Sequence, residues 1–294
     1  MVRGLPDRLR APEDSPAVVI TGASSGIGRT TALMLDGLGY RVFAGVRRHA
    51  DAKSLRDEAS QRLRPIRLDV TDGDSIVAAR DELVAAQSGR PLLGLINNAG
   101  TTVTMPLEFA DMDALRGQFE INTFGVVAVT KAFAPLLERP GGRVVNVSSG
   151  AGRIVTPLIG AYCASKYALV AISDALRVEL RGQGIAVSII EPGVIDTPMH
   201  SKNEARVEAM LRALPEEARD RYGAAIAKLR RASERMSKNA APAENVARAI
   251  CRALTDRKPR VRYPVTAEAK LLQVVGPFLT SRVRDSIFGR IVGL

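Results

Sequence analysis

Ala17-Val18-Val19-Ile20-Thr21 runs directly into Gly22-Ala23-Ser24-Ser25-Gly26-Ile27-Gly28, and an amphipathic stretch follows as far as Leu38. The apolar, β-branched run reads as a strand buried on both faces, and the stretch from Gly26 reads as a helix. Between them the glycines are spaced G-x-x-x-G-x-G rather than G-x-G-x-x-G. Glycine lets the backbone turn tightly and approach a ligand closely. A helix N-terminus just beyond offers unpaired N–H groups on which a pyrophosphate can rest. A turn that only packs helix on strand is the alternative. The place of this turn, between the first strand and the first helix, favours a nucleotide, with Thr21, Gly22, Ser24, Ser25, Gly26, Ile27 and Gly28 as candidate contacts.

The same alternation continues along the chain. Strands are expected at Ala17–Thr21, Arg41–Gly45, Arg64–Asp69, Leu92–Ile96, Gly142–Ser148 and Ile185–Glu191, with a shorter seventh around Val261–Tyr263. Helical stretches fall near Gly26–Leu38, Ser75–Gln87, Asp111–Leu137 and Ala161–Arg181. This pattern predicts an α/β fold, a doubly wound parallel sheet of about seven strands. Its ligand crevice lies beyond the carboxyl ends of the strands. We expect one domain over 1–294, its core at 15–200 plus 242–264. Residues 200–241, Arg/Ala/Glu-rich and helical in propensity, would be a lid inserted over the site. Residues 265–294 would be a helical C-terminal tail.

Composition bounds the setting. The chain has 294 residues, 46% of them apolar, enough for one well-buried core. Two cysteines, Cys163 and Cys251, make neither a disulfide framework nor a metal site, which suggests a reducing, cytoplasmic setting and no bound metal. Met1–Pro16 is charged and lacks the apolar core of a signal peptide. No apolar run approaches the roughly 20 residues that span a bilayer. The net charge of +11 is uneven: residues 201–294 hold 20 Lys/Arg against 10 Asp/Glu, and residues 1–200 hold 22 against 21. Three readings compete for the basic C-terminal region: nucleic acid, an anionic membrane surface touched peripherally, and a solvated helical face. No basic run interleaved with aromatics supports the first.

Three further positions carry chemistry. At the end of the second strand stand Val46, Arg47 and Arg48, with no carboxylate. An acidic residue there would accept from the ribose 2′-hydroxyl of NAD, whereas a guanidinium suits the 2′-phosphate of NADP, so NADP is favoured over NAD. Tyr162 and Lys166 lie at i and i+4 of a helix and so share one face. An ammonium beside a phenol favours the phenolate and lowers its pKa from about 10, which makes a proton exchanger usable near neutrality. Ser148 and Ser149 follow the fifth strand into the crevice, where a hydroxyl can hydrogen-bond a developing alkoxide. Spacing does not choose between them. His49 and His200 belong to no Ser/His/Asp or metal arrangement.

Over about residues 15–200 these motifs, in this order, resemble the short-chain dehydrogenase/reductase family, whose members share the Rossmann-type fold. The resemblance rests on Thr21–Gly28, on Asn97-Asn98-Ala99-Gly100, on the serine with Tyr162 and Lys166, and on Pro192-Gly193 with Thr197. The retinol and hydroxysteroid dehydrogenase branch is most alike, through Pro91–Gly100, Tyr162-Cys163-Ala164-Ser165-Lys166-Tyr167 and the tail at Arg262-Tyr263-Pro264 and Ala269-Lys270. The resemblance implies roles. Tyr162 would be the catalytic acid/base, and Lys166 would hold the nicotinamide ribose and lower the Tyr162 pKa. Ser149 would be the catalytic serine with Ser148 its neighbour, and Asn122 would hold a water of the proton relay. Asp69 with Val70 would meet the adenine, Asn98 the adenosine ribose, Pro192 and Thr197 the nicotinamide side, and Arg47 would fall just after the position that discriminates NAD from NADP.

Three departures stand out. The membrane-spanning N-terminus of many retinol dehydrogenases is missing, Ser25 occupies a position often basic in NADP users, and residues 200–294 carry no substrate-naming motif. The expected activity is an NAD(P)-dependent interconversion of a carbonyl and an alcohol on a small apolar substrate, steroid-, retinoid- or long-chain-like. A catalytically silent NAD(P)-binding regulator is the alternative, and a homodimer or homotetramer is the expected assembly.

Overall fold

The computed structural model describes residues 6–12, 16–198, 207–208, 211–212 and 214–293. His200, residues 1–5 and 13–15 of the N-terminal stretch, and most of 199–213 lie outside them. Strands β1 (Ala17–Ile20), β2 (Arg41–Val46), β3 (Leu63–Arg67), β4 (Leu92–Asn97), β5 (Arg143–Val147), β6 (Ala186–Glu191) and β9 (Arg262–Pro264) form a parallel sheet in the order β3-β2-β1-β4-β5-β6-β9. A two-residue pair, β7 (Ile195–Asp196) with β8 (Ala241–Pro242), was not expected from the sequence. The helices are α1 (Gly26–Gly37), α2 (His49–Glu58), α3 (Gly73–Gln87), α4 (Met112–Phe119), α5 (Gly125–Phe133), α6 (Gly160–Glu179), α7 (Glu216–Lys238), α8 (Ala243–Thr255), α9 (Ala267–Val275) and α10 (Ser281–Val292).

Strand pleating sorts the core into two layers. Val18, Ile20, Val42 and Ala44 face α1 and α8 with Met34, Leu35, Val246 and Ile250. Val19, Phe43, Leu95 and Val144 face the other side with Leu83, Val129 and Phe133. Because successive side chains point to opposite faces, these strands must be apolar throughout, as the sequence shows. The winding reverses between β1 and β4, so the loops after these two strands part and leave a crevice at their carboxyl ends.

The structure differs from expectation in three places. His49 opens helix α2, a helix absent from the stretches expected from the sequence. The single helix expected over Asp111–Leu137 is interrupted by a π-helical turn at Glu120–Phe124. A third, small apolar cluster of Leu158, Val207, Leu214, Ala218, Ala225 and Ile226 gathers under α7, apart from the two main layers. At its rim Glu108 takes Arg221 and the Tyr222 hydroxyl (2.7 Å), while Phe109 meets the Tyr222 ring edge-on at 6.1 Å.

Candidate active site

The glycine turn and the β4 loop are knitted together first. Thr21 Oγ1 accepts the N–H groups of Asn98 (3.0 Å) and Ala99 (2.9 Å), and Asn98 Nδ2 donates back to Thr21 O (2.9 Å) and Gly22 O (3.2 Å). Gly22 and Gly26 have φ of +68° and +53°, a region costly to other residues. A Cβ at Gly28 would lie 2.3 Å from Gly22 O and 2.5 Å from Asn98 Nδ2, so the turn closes only without one. No side chain caps the first turn of α1. Its N–H groups, ringed by glycine backbone, fit a pyrophosphate.

From the other wall, Thr197 folds over this turn: a Cβ built on Gly26 would lie 3.1 Å from the Thr197 Cβ. Pro192 accepts from Gly150 N–H at 2.9 Å. Just beyond the carboxyl end of β3, Asp69 accepts from the Thr71 amide and hydroxyl, and the Val70 carbonyl packs on Gly125. Arg48 is committed to Asp51 through two bonds of 2.8 Å. Arg47 is exposed at the end of β2.

The two serines separate by pleat. Ser148 is buried beneath Gly152, with its hydroxyl turned into the protein. Ser149 accepts the Ala151 N–H at 3.1 Å, and its hydroxyl stands near enough to the Tyr162 phenol to favour the phenolate. Lys166, 4% exposed, donates from Nζ to Val147 O at 2.9 Å and stands 5.9 Å from the Tyr162 ring centre. Asn122, wholly buried in the π turn, accepts from Thr101 N–H at 2.8 Å and donates to Thr101 O (2.9 Å) and Ser165 Oγ (3.0 Å). Ser165 in turn donates to the Tyr162 carbonyl at 2.8 Å. The π turn thus hangs on the helix that carries Tyr162 and Lys166.

One expectation about this site is corrected. Tyr162 lies above, not below, its ordinary pKa: burial is the largest cause and outweighs the lowering by the Ser149 hydroxyl. Burial likewise pushes the Lys166 ammonium down to about 8. Loss of water penalises both charged forms, and at this separation it is the larger effect.

Sequence reasoning missed two supports of the site. Asn97 donates to Thr130 (3.0 Å) and Asn146 (2.9 Å), and Asn146 to Ser173 (2.8 Å), a buried chain beneath the crevice. Two asparagines in otherwise apolar strands were the available signal. Glu191, at the end of β6, holds two arginines.

A doubly wound parallel sheet, a glycine turn between its first strand and helix, and a Ser–Tyr–Lys set across the crevice define an oxidoreductase that uses a nicotinamide dinucleotide. Comparison with known proteins narrows the class. Residues 16–208 match the family model for short chain dehydrogenase. The chain is similar to Retinol dehydrogenase 5 of Homo sapiens (36% identity, covering 96% of this chain and 91% of that one). It is similar also to 17-beta-hydroxysteroid dehydrogenase type 6 of Homo sapiens (34%, covering 93% and 87%). Among solved structures, a short chain dehydrogenase/reductase from Burkholderia phymatum in complex with NAD matches with a TM-score of 0.71 at 25% identity, covering 90% of this chain and 95% of that one. The chain belongs to the short-chain dehydrogenase/reductase family, and it is an enzyme acting on CH–OH groups.

Proposed function

We propose that the enzyme interconverts a carbonyl and an alcohol on an apolar substrate, with Tyr162 exchanging the proton at the substrate oxygen. The observation that carries this is the grouping of the Ser149 hydroxyl, the Tyr162 phenol and buried Lys166, whose Nζ stands 5.9 Å from the tyrosine ring centre. The nicotinamide dinucleotide supplies or takes up the hydride. Ser149 donates to the substrate oxygen and polarises the carbonyl. Tyr162 gives its proton to that oxygen in reduction and takes it back in oxidation. Lys166 holds the nicotinamide ribose, and Asn122 keeps the relay that refills Tyr162 aligned with α6.

Thr21–Gly28 hold the pyrophosphate, Asp69, Val70 and Asn98 the adenosine, and Pro192 and Thr197 the nicotinamide. Arg47, exposed just after the position where a carboxylate would select NAD, favours NADP. The apolar cluster under α7 supports a lid role for the 200–241 segment over a steroid-, retinoid- or long-chain-like substrate, in keeping with the two relatives' names. Exposed Met112, Phe124 and Val127 on α4, α5 and the turn between them suit a homodimer or homotetramer. Two buried free cysteines suit a reducing, cytoplasmic setting.

The tail supports contact with a membrane surface. Leu271, Val274, Phe278, Val283, Ile287 and Ile291 are exposed along α9, α10 and the 3-10 turn between them, bordered by exposed Lys270, Arg282 and Arg290. No helix among the described residues is long and apolar enough to cross a membrane.

The direct test is Tyr162→Phe, assayed by nicotinamide absorbance with NADPH and NADH against steroid, retinoid and aliphatic carbonyls. Turnover should fall by at least about 10²-fold, the lower end for a lost acid/base, with nucleotide affinity nearly unchanged. A variant that keeps its activity removes Tyr162 from the mechanism.

A further inference from the structure

Glu191 ends β6 directly before Pro192-Gly193, is 1% exposed, and has no part in the reaction as proposed. Its Oε1 accepts from Arg153 Nε at 2.9 Å and from Arg262 Nη1 at 3.0 Å. Arg262, on β9, also donates to Asp174 of α6 at 2.7 Å, and Asp174 accepts Arg177 at 3.0 Å. A buried carboxylate is tolerated only with such partners, and removing one strands the others.

Most of this network ties strand to helix within the frame. Arg153 is different. It closes the short 3-10 turn Gly150–Gly152, which Ser149 opens. The Ser149 hydroxyl is anchored inside that turn by Ala151 N–H, so the hydroxyl moves wherever the turn moves. The turn meets the β6 exit at two points, the Gly150–Pro192 backbone bond and the Arg153–Glu191 ion pair. One of these is a main-chain bond, which any side chain preserves. The other depends on two particular residues 38 positions apart.

We propose that Glu191 is a positioning residue for the reaction: through Arg153 it fixes the turn that presents Ser149 to Tyr162. This rests on the proposed roles of Ser149 and Tyr162. Two hydroxyls that must meet one substrate oxygen by hydrogen bonds tolerate only a few tenths of an ångström, and a displacement of about 1 Å in a reacting group costs about 10²-fold in rate.

The test compares Arg153→Gln, Glu191→Gln, the double variant and Arg153→Lys in the full chain, by amide hydrogen exchange and steady-state kinetics. Arg153 lies at the rim, part-exposed, so its variants report even where Glu191→Gln does not fold. In Arg153→Gln, exchange at Gly150, Gly152 and Arg153 should quicken by about tenfold or more. Its kcat should fall by about ten- to a hundredfold with KM for the nucleotide unchanged. Arg153→Lys should recover part of the loss, and the double variant should be no worse than the poorer single one. Unchanged exchange in Arg153→Gln overturns the proposal, as does faster exchange with unchanged kcat. Were the unaltered enzyme inactive on every carbonyl and alcohol tried, the proposed reaction would fail by itself. The exchange data would still decide the pinning, faster exchange supporting it and unchanged exchange overturning it.

Discussion

Lys166 illustrates how a residue placed for chemistry acts on stability. Burial lowers its folded-state pKa to about 8, and no acidic group offsets this, whereas the unfolded chain titrates near 10.4. Between these values the unfolded state binds more protons, so stability rises with pH across that window. Below it, the folded protein bears the full cost of charging a buried amine. Denaturant melts of wild type and Lys166→Met should therefore diverge in the wild type's favour from about pH 8 to about pH 10.4, by up to about 3 kcal/mol. A flat difference would mean the ammonium is solvated. Turnover of the variant should collapse at every pH. The Tyr162–Lys166 pair was legible because a helix repeat puts i and i+4 on one face. The sign of the tyrosine shift was not, because burial is a property of the assembled crevice. The choice between Ser148 and Ser149 was equally hidden: adjacent residues leaving a strand point opposite ways, and sequence does not say which way the crevice lies.

At the scale of elements, the turn between β1 and α1 makes a sharp comparison possible. Gly28→Ala should lower stability by about 2 kcal/mol and abolish fluorescence-detected NADPH binding, because its Cβ meets backbone on one side and Asn98 on the other. Gly73→Ala, at the first position of α3 with nothing within 4 Å of a new Cβ, should leave both unchanged. Binding by Gly28→Ala at wild-type affinity would remove the turn from the nucleotide site. The sheet strands were legible since burial on both faces demands continuous apolar runs. Helix α2 was not: among its residues only Leu55 is buried, so no apolar periodicity exists to detect. The π turn was invisible for another reason. Its extra residue is sustained by Asn122 bonding to Thr101 and Ser165, partners 21 and 43 positions away. The Glu191–Arg153 pair is non-local in the same sense.

For the whole molecule, the distribution of charge gains meaning from the distribution of apolar surface. Charge alone left nucleic acid, membrane and solvated helix as competing readings of the C-terminal region. Phe278, 83% exposed, with Leu271 and Val274 beside basic residues, favours the membrane. The protein should cosediment with vesicles containing phosphatidylserine and much less with neutral ones, and a Leu271→Asp/Phe278→Asp double variant should stay in the supernatant. Equal binding of that variant would discard the surface.

The strap at the rim has its own consequence. Glu108, Arg221 and Tyr222 join α7 to the body through half-exposed polar groups, while the sheet layers beneath are sealed in oil-like interiors. Dissolved ions weaken the first kind of join and hardly touch the second. If α7 is the lid proposed above, higher ionic strength should loosen its hold on the body and leave the buried layers as they are.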